Sequence, residues 1–404
     1  MSCRICKSQL REIIDFGKIS LVGQFYKKKN KAKKYKITLC FCSKCKHVQI
    51  KQKINPDLLF KNYLWETGVS KSNILIINEL IKYLNKFKIN KNSKVLEIAS
   101  NDGVLLNIFQ KKLNCLAVGI DPAKNLAKKK RFKNIKRIID YFNYNSSKLI
   151  AKKFGLFNFI IARNVLAHVK NPNEILKGVY KLLDYNGLFI IEFPSLLNII
   201  KFNQYDNIFH EHIGFHSLKS IQDLCAGNNL KLVDCQLIES QGGSLRCFIT
   251  KKDSKIKINK KIKKFLKIEK LNGLFDNSKL FDFKNKINSH RKNLYKLIKN
   301  LKKKKFKISA YAASGKGQAL LQYCKIENDF LDFIFDKSSL KQNKYTSGTN
   351  ILIKKPSDIN KKKVDYLLLL SWNLIKEIKK QEYKFIKSGG KFITPYPKPS
   401  IIHK

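Results

Sequence analysis

Between Lys94 and Phe193, short apolar runs alternate with amphipathic stretches at an interval that fits a parallel, doubly wound sheet. Runs at 94–99, 117–121, 157–162 and 188–193 are rich in Val, Ile, Leu and Phe and read as buried strands. Helices are expected near 104–112, 124–130 and 172–183, and another over 215–226. Strands at 231–238 and 244–250 follow, a mixture compatible with an antiparallel edge. Ahead of the sheet, Ile74, Leu75, Ile77, Leu80, Ile81 and Leu84 repeat at helical spacing, so a helix is expected over 70–86.

On either side of this core lie modules of different character. Five of the ten cysteines fall in the first 45 residues, as Cys3-x-x-Cys6 and Cys40-x-Cys42-x-x-Cys45. Residues 1–50 hold too few large apolar side chains for a core of their own. Four thiolates in two CxxC pairs suit one tetrahedral zinc that staples two knuckles. The expected ligands are Cys3, Cys6, Cys42 and Cys45; His47 could in principle replace one thiolate. A closed four-cysteine site leaves no open position for chemistry. The other cysteines are single residues in apolar surroundings and read as small core hydrophobes. From 250 to 305 the chain is lysine-rich and mostly helical, with Ile256, Ile258, Ile262, Leu266, Ile268 and Leu271 as the expected packed stripe. A new strand–loop–helix unit begins near 307, with strands expected at 307–312, 331–335, 366–370 and 391–393. The expected organisation is therefore α/β: a zinc-binding module over 1–60, a Rossmann-like domain with its leading helix over 61–250, a helical connector over 251–305, and a smaller α/β domain over 306–404.

A net charge of +54 invites a nucleic-acid reading. The charge comes from 76 lysines and only seven arginines, spread through every segment. Phosphate-gripping surfaces concentrate arginine, whose planar fork matches phosphate oxygens bidentately. No specific nucleic-acid partner is expected, although an anionic substrate is favoured. No apolar run reaches membrane-spanning length, and the chain opens on Cys3 without an apolar signal segment, so a cytoplasmic protein without a membrane partner is expected.

The most informative segment is Val95-Leu-Glu-Ile-Ala-Ser-Asn-Asp-Gly103, where a strand runs through a tight loop into a helix. Asp121 ends the next strand and is placed to accept hydrogen bonds from two ribose hydroxyls. A dinucleotide fingerprint would need three glycines beside the pyrophosphate. Here Glu97, Asn101 and Asp102 accompany one glycine, Gly103. Carboxylates repel pyrophosphate and suit a sulfonium bearing an ammonium, as in S-adenosylmethionine. Asn164 and His168 lie just beyond the strand at 157–162, where open sheets bind ligands.

Three of the seven histidines fall within His210-Glu-His-Ile-Gly-Phe-His216. The i,i+4 helical spacing of a zinc-protease motif is missing. A catalytic base with a carboxylate neighbour fits better, because imidazole accepts a proton near neutrality. The Ala313-Ser-Gly-Lys-Gly317 loop follows a strand and opens a helix, so its N–H groups and Lys316 could hold phosphates. Its spacing is not that of a Walker loop.

Together these pieces resemble the S-adenosylmethionine-dependent C-methyltransferases of deoxysugar biosynthesis, which act on nucleotide-linked keto sugars. The matching segments are CRIC at 3–6, CSKCKHVQI at 42–50, YLWETGVS at 63–70, VLEIASNDG at 95–103 and GIDPA at 119–123. NVLAHV at 164–169, FHEH at 209–212, GGSLR at 242–246, AASGKGQALLQYC at 312–324, YTSGTNILI at 345–353, SWNL at 371–374 and GGKFITPYP at 389–397 follow in order. The resemblance implies that His212 is the base, that Glu211 supports it, and that Tyr63 and His168 line the active site. Tyr63 or His168 would donate a hydrogen bond to the enolate oxygen. It further implies a nucleotide sugar at the third module, with His210 and Lys316 as substrate-binding residues. Phe209 departs from the family, which has tyrosine before HEH, and this puts an identical substrate or stereochemical outcome in question. Two other classes remain open: a zinc-containing RNA methyltransferase, and a nonenzymatic zinc scaffold on a methyltransferase-like fold. Cofactor binding would separate the scaffold from both enzymes.

Overall fold

A computed structural model describes residues 2–61, 63, 66–69, 71–127 and 132–402. Seven strands form the central sheet in the order Leu230–Ile238, Ser244–Lys251, Leu183–Pro194, Phe157–Arg163, Lys94–Ile98, Leu116–Ile120 and Lys136–Ile138. Neighbours pair in parallel except at one edge, where Ser244–Lys251 runs antiparallel to both of its neighbours. The inner strands are buried on both faces, which is why they read as continuous apolar runs rather than alternating ones. From Lys94–Ile98 the chain first winds outward to Lys136–Ile138. It then crosses back to Phe157–Arg163 on the other side of the first strand. The crevice for a ligand in such sheets opens at this reversal.

Three elements of the sheet domain have weak sequence signals. Strand Lys136–Ile138 is only three residues long. Helix Tyr144–Phe154 is polar along most of its length; its signal is the reciprocal capping of Asn143 and Ser146. Strand Leu183–Pro194 starts well before the apolar run at 188–193, because Leu183 already pairs with Phe157 across a register shift. Of the helix expected over 124–130, Lys124–Ala127 is helical, and residues 128–130 lie outside the described residues. The helix expected from Ser70, itself outside them, is Lys71–Leu84.

The first module is a sheet of Arg11–Ser20, Lys34–Phe41 and Val48–Ile50, completed by Gly214–Phe215 from the middle of the chain. Its apolar face, including Phe16, Ile37, Leu39 and Ile50, joins helix Asn277–Lys303 and the third module in one core. Strand Phe25–Tyr26 pairs with Tyr345–Thr346 of that same module. The third module is a six-stranded sheet in the order Ile353–Lys354, Ile334–Phe335, Ile308–Tyr311, Tyr366–Leu369, Lys391–Thr394 and Ser400–Ile402, parallel up to its last pair.

The stretch expected to be helical from 250 resolves into Lys261–Leu271 and Asn277–Lys303. Its expected stripe needs correction. Ile262 is buried, but Ile258 and Leu271 are exposed, and Phe265 packs with Leu266 instead. Ile258 lies before the helix begins, so helical spacing does not govern it. Among the described residues no helix is long and apolar enough to cross a membrane.

Candidate active site and zinc centre

The four expected zinc ligands converge. Their sulfurs all lie within 4.8 Å of one another, with Cys3 Sγ 3.5 Å from Cys45 Sγ and Cys6 Sγ 3.5 Å from Cys42 Sγ. A zinc–sulfur bond of about 2.3 Å in a tetrahedron separates sulfurs by about 3.8 Å, so the set fits the ion. The knuckles are shaped by Lys7 and Lys46 at positive φ, with N–H groups of both turning back to the carbonyls of Cys3 and Cys42. His47 is not a ligand; its ring packs 4.6 Å from that of His216. Cys40 stays outside the cluster.

At the sheet's reversal the loop after Lys94–Ile98 is held from several sides. Asp121 Oδ2 accepts the Asn101 N–H at 2.8 Å, while its Oδ1 accepts the Ala123 N–H at 2.8 Å. Asn101 and Asp102 turn their side-chain oxygens to the backbone of segment 66–69. Asn101 Oδ1 accepts from Thr67 N at 3.0 Å, and Asp102 Oδ2 accepts from Gly68 N at 2.9 Å, which ties segment 66–69 across the loop. Gly103 adopts φ +80°, and a side chain there would collide with the guanidinium of Arg137. Arg137 donates to the carbonyls of Asn101 and Asp102 and locks the loop from the opposite side. Sequence reasoning missed it, since its strand is too short to be recognised.

Two acceptors at this crevice lack donors. Among the described residues Glu97 Oε2 and Asn164 Oδ1 are buried without a hydrogen-bond partner, on neighbouring strand ends. Burial pushes the Glu97 carboxyl well up, even with Arg163 nearby. The cationic sulfonium and ammonium of S-adenosylmethionine supply what these acceptors lack, so the residues fit the cofactor. Beneath them Glu192 accepts from Arg163 and Arg246, both at 2.8 Å, forming a buried triad. Desolvation alone would raise the Glu192 pKa, yet the two guanidiniums hold it below the usual value.

Segment 205–216 is joined to the loop after Phe157–Arg163 by the Ile213 N–H on the Ala167 carbonyl, and is gripped by the third module and by helix Asn277–Lys303. Tyr323 donates to the Ile208 carbonyl, Trp372 Nε1 donates to Asp206 Oδ2 at 2.8 Å, and Tyr205 OH bonds His290 at 2.9 Å. His212 Nδ1 lies 2.8 Å from the Asn207 carbonyl oxygen, which only accepts, so Nδ1 carries a proton and Nε2 presents a lone pair. Burial, then His168 and Lys316, lower the His212 pKa well below the usual value. His168 Nδ1 likewise faces the Glu211 carbonyl oxygen at 2.8 Å, and burial lowers its pKa to about 4. A neutral His168 protonated at Nδ1 has no proton at Nε2. The expected donation from His168 to an oxyanion is therefore not what this geometry offers.

Tyr63 is held by reciprocal backbone bonds to the Asn125 side chain, 3.1 and 2.8 Å. Burial first, then the charges of Glu211 and Asp121, raise its pKa well above the phenol value, so it keeps its proton. Its hydroxyl has no hydrogen-bond partner among the described residues. Burial raises the Glu211 pKa to about 8. Gly23, at φ +75°, brings the turn of the first module so close that a Cβ would sit 3.4 Å from Glu211 Oε1. Gly315 of the third module packs against Val22 and Phe209, and Phe209 stacks on His212 with ring centroids 4.2 Å apart. All three modules thus meet at the His–Glu segment.

Two expected substrate contacts differ. His210 turns to the first module, where its Nε2 lies 3.2 Å from the Tyr35 carbonyl and its ring packs on Tyr35. The chain turns here, with the His212 N–H on the Phe209 carbonyl at 2.9 Å, and His210 at the turn faces the first module while Glu211 faces inward. Lys316 is buried, with its ammonium donating to the Gln241 carbonyl at 2.9 Å.

The sheet order, the acid-lined loop at its reversal and the tautomer-fixed histidine define an S-adenosylmethionine-dependent methyltransferase with a four-cysteine zinc centre. Along its length the chain is similar to C-methyltransferases. Three family models match it in succession: a candidate zinc binding domain over residues 3–60, a methyltransferase domain over 74–234, and the C-methyltransferase C-terminal domain over 239–397. It is 29% identical over 405 residues to the C-methyltransferase NovU of Streptomyces niveus, spanning 99% of this chain and 96% of that protein. Among solved structures it is similar to magnesium protoporphyrin IX methyltransferase (ChlM) from Synechocystis PCC 6803, at 12% identity and a TM-score of 0.35, over 44% of this chain and 82% of that one. The PH0226 protein from Pyrococcus horikoshii OT3 matches 49% of this chain and 96% of its own, at 15% identity and a TM-score of 0.36.

Proposed function

We propose that the enzyme methylates the carbon beside the ketone of a nucleotide-linked keto-deoxysugar, with His212 as the base. One observation carries this reading. The His212 imidazole is fixed by the Asn207 carbonyl with its free lone pair on Nε2, at the point where the three modules meet. S-adenosylmethionine supplies an electrophilic methyl, so the enzyme's own task is to make a carbon nucleophile.

His212 Nε2 removes the acceptor's α-proton, and the C–H electron pair becomes the double bond of an enolate. That carbon then forms the new C–C bond as the methyl leaves sulfur. Tyr63, which keeps its proton, donates to the oxygen where charge develops; one such donor contributes about 3 kcal/mol. Glu211 supports the base from its buried position. Glu97 and Asn164 would hold the cationic end of the cofactor, and Asp121 its ribose while steadying the loop. Asn101, Asp102 and Gly103 shape that loop. The third module would take the nucleotide side of the substrate.

The test is turnover with a panel of nucleotide-linked keto-deoxysugars, with RNA as a comparison. Methyl transfer to carbon of the sugar supports the reading. Transfer to RNA alone, or to oxygen or nitrogen of the sugar, overturns it.

A further inference from the structure

Lys316 is 9% exposed, yet among the described residues its ammonium has one hydrogen-bond acceptor, the Gln241 carbonyl, for three N–H donors. Among the described residues no carboxylate pairs with it within 4.0 Å. Asp206, the acid that interacts with it electrostatically, is engaged by Trp372 Nε1. A buried cation left with unused donors is costly unless something else completes its shell. Its position says what that is. Lys316 lies in the first turn of helix Gly315–Tyr323, and Gly315 before it packs on Phe209, whose ring meets that of His212. Through Gly315 and Phe209 the loop that carries Lys316 is packed against His212, and the ammonium's charge acts on that imidazole.

We propose that Lys316 is a catalytic residue that donates to the carbonyl oxygen of the acceptor and stabilises the enolate as it forms. This rests on the proposed function and deepens it. It differs from a phosphate-holding role for the glycine-rich loop, which would place the lysine at the nucleotide end. The lone pair arriving on the acceptor oxygen faces two donors, the Tyr63 hydroxyl and the Lys316 ammonium. The proton taken from carbon moves to His212 on the other side of that oxygen. Phe209 adds no hydroxyl beside them, which leaves the oxyanion to these two groups. The same cation holds the resting His212 imidazole neutral, with its Nε2 lone pair free, and its charge is offset as the enolate oxygen becomes negative.

The experiment compares wild type with Lys316→Met, Lys316→Gln and Lys316→Arg in the full-length, zinc-loaded protein. Readouts are the single-turnover methyl-transfer rate, KM for the keto-sugar, and calorimetric affinity for S-adenosylmethionine and for thymidine diphosphate. Lys316→Met and Lys316→Gln should slow transfer by roughly 10²–10³-fold, the loss typical of one oxyanion donor. KM and both affinities should hold, and Lys316→Arg should recover part of the rate. A raised KM and weakened thymidine diphosphate binding at an unchanged rate would overturn the proposal in favour of phosphate binding. Unchanged values throughout would reduce Lys316 to packing. If Met fails to fold, the Gln and Arg pair carries the comparison. A wild-type enzyme inert towards every keto-sugar would instead refute the proposed function itself.

Discussion

The imidazoles of His168 and His212 meet edge to face, with ring centroids 4.9 Å apart, although 44 positions separate them in the chain. Each has its Nδ1 against a backbone carbonyl, His168 on Glu211 and His212 on Asn207, at 2.8 Å in both cases. The first bond joins the loop after Phe157–Arg163 to the segment that carries the proposed base. Both rings are neutral at physiological pH because both are buried. This contact ties the end of the central sheet to the His–Glu segment.

Purified protein is expected to contain about one zinc per chain, as a single four-thiolate site requires. Cys42→Ser should lose the metal and loosen the first module. Cys225→Ser, a buried cysteine in the core of the sheet domain, should retain it. Elemental analysis of unchelated protein decides; freshly purified protein without zinc would end the assignment.

Asp121→Ala should weaken S-adenosylmethionine binding by roughly 1–3 kcal/mol, the scale for hydrogen bonds to a charged group. The structure adds a second contribution, because the same carboxylate holds the Asn101 and Ala123 N–H groups. Asp121→Asn keeps an acceptor and should lose less. Calorimetry on folded variants checks the order; equal affinity for all three proteins would exclude Asp121 from the cofactor site.

Glu211 links stability to pH. Its folded pKa of about 8 lies above that of an unfolded glutamate, so the folded state binds the extra proton. Stability therefore falls as pH rises from about 4.5 to 8, by up to about 1.4 kcal/mol per pH unit. Glu211→Gln should flatten that slope and raise Tm relative to wild type at pH 8, with the gap closing near pH 4. Parallel Tm-against-pH curves would show that Glu211 is ionised in the native protein.

Much of this architecture was legible in the sequence, for identifiable reasons. Buried parallel strands announce themselves as apolar runs, and CxxC pairs fix a tetrahedron through local geometry. Asn101 and Asp102 were found but their orientation was not, since it depends on the Thr67–Gly68 backbone some 34 positions away. His210 misled because the chain turns there, and His210 faces the first module while Glu211 faces inward. The arginines carried more than their number suggested. Against 76 lysines, Arg4, Arg137, Arg163, Arg246 and Arg291 each place guanidinium N–H groups on carbonyls or on Glu192. In a lysine-saturated chain, arginine persists where its fork is needed.

The last expectation concerns the base. His212→Ala and His212→Asn should fold, bind zinc and bind S-adenosylmethionine nearly as wild type, because the ring's one direct bond is to its own loop. Methyl transfer should fall by roughly 10²–10⁴-fold, the range for a positioned general base. Exchange of the acceptor's α-hydrogen with deuterated water should vanish with it, wherever the wild type shows such exchange. The pH profile adds an independent check. Burial and the neighbouring His168 and Lys316 depress the His212 pKa, and the neutral form is the active one. Activity should therefore persist below pH 6.5 and fall only as pH drops through that lowered value. Phe209→Tyr adds a hydroxyl to the ring stacked on His212 and should alter acceptor preference while leaving the acid limb in place. A folded His212→Ala enzyme that transfers at the wild-type rate would move the search for the base to Glu211 or His168.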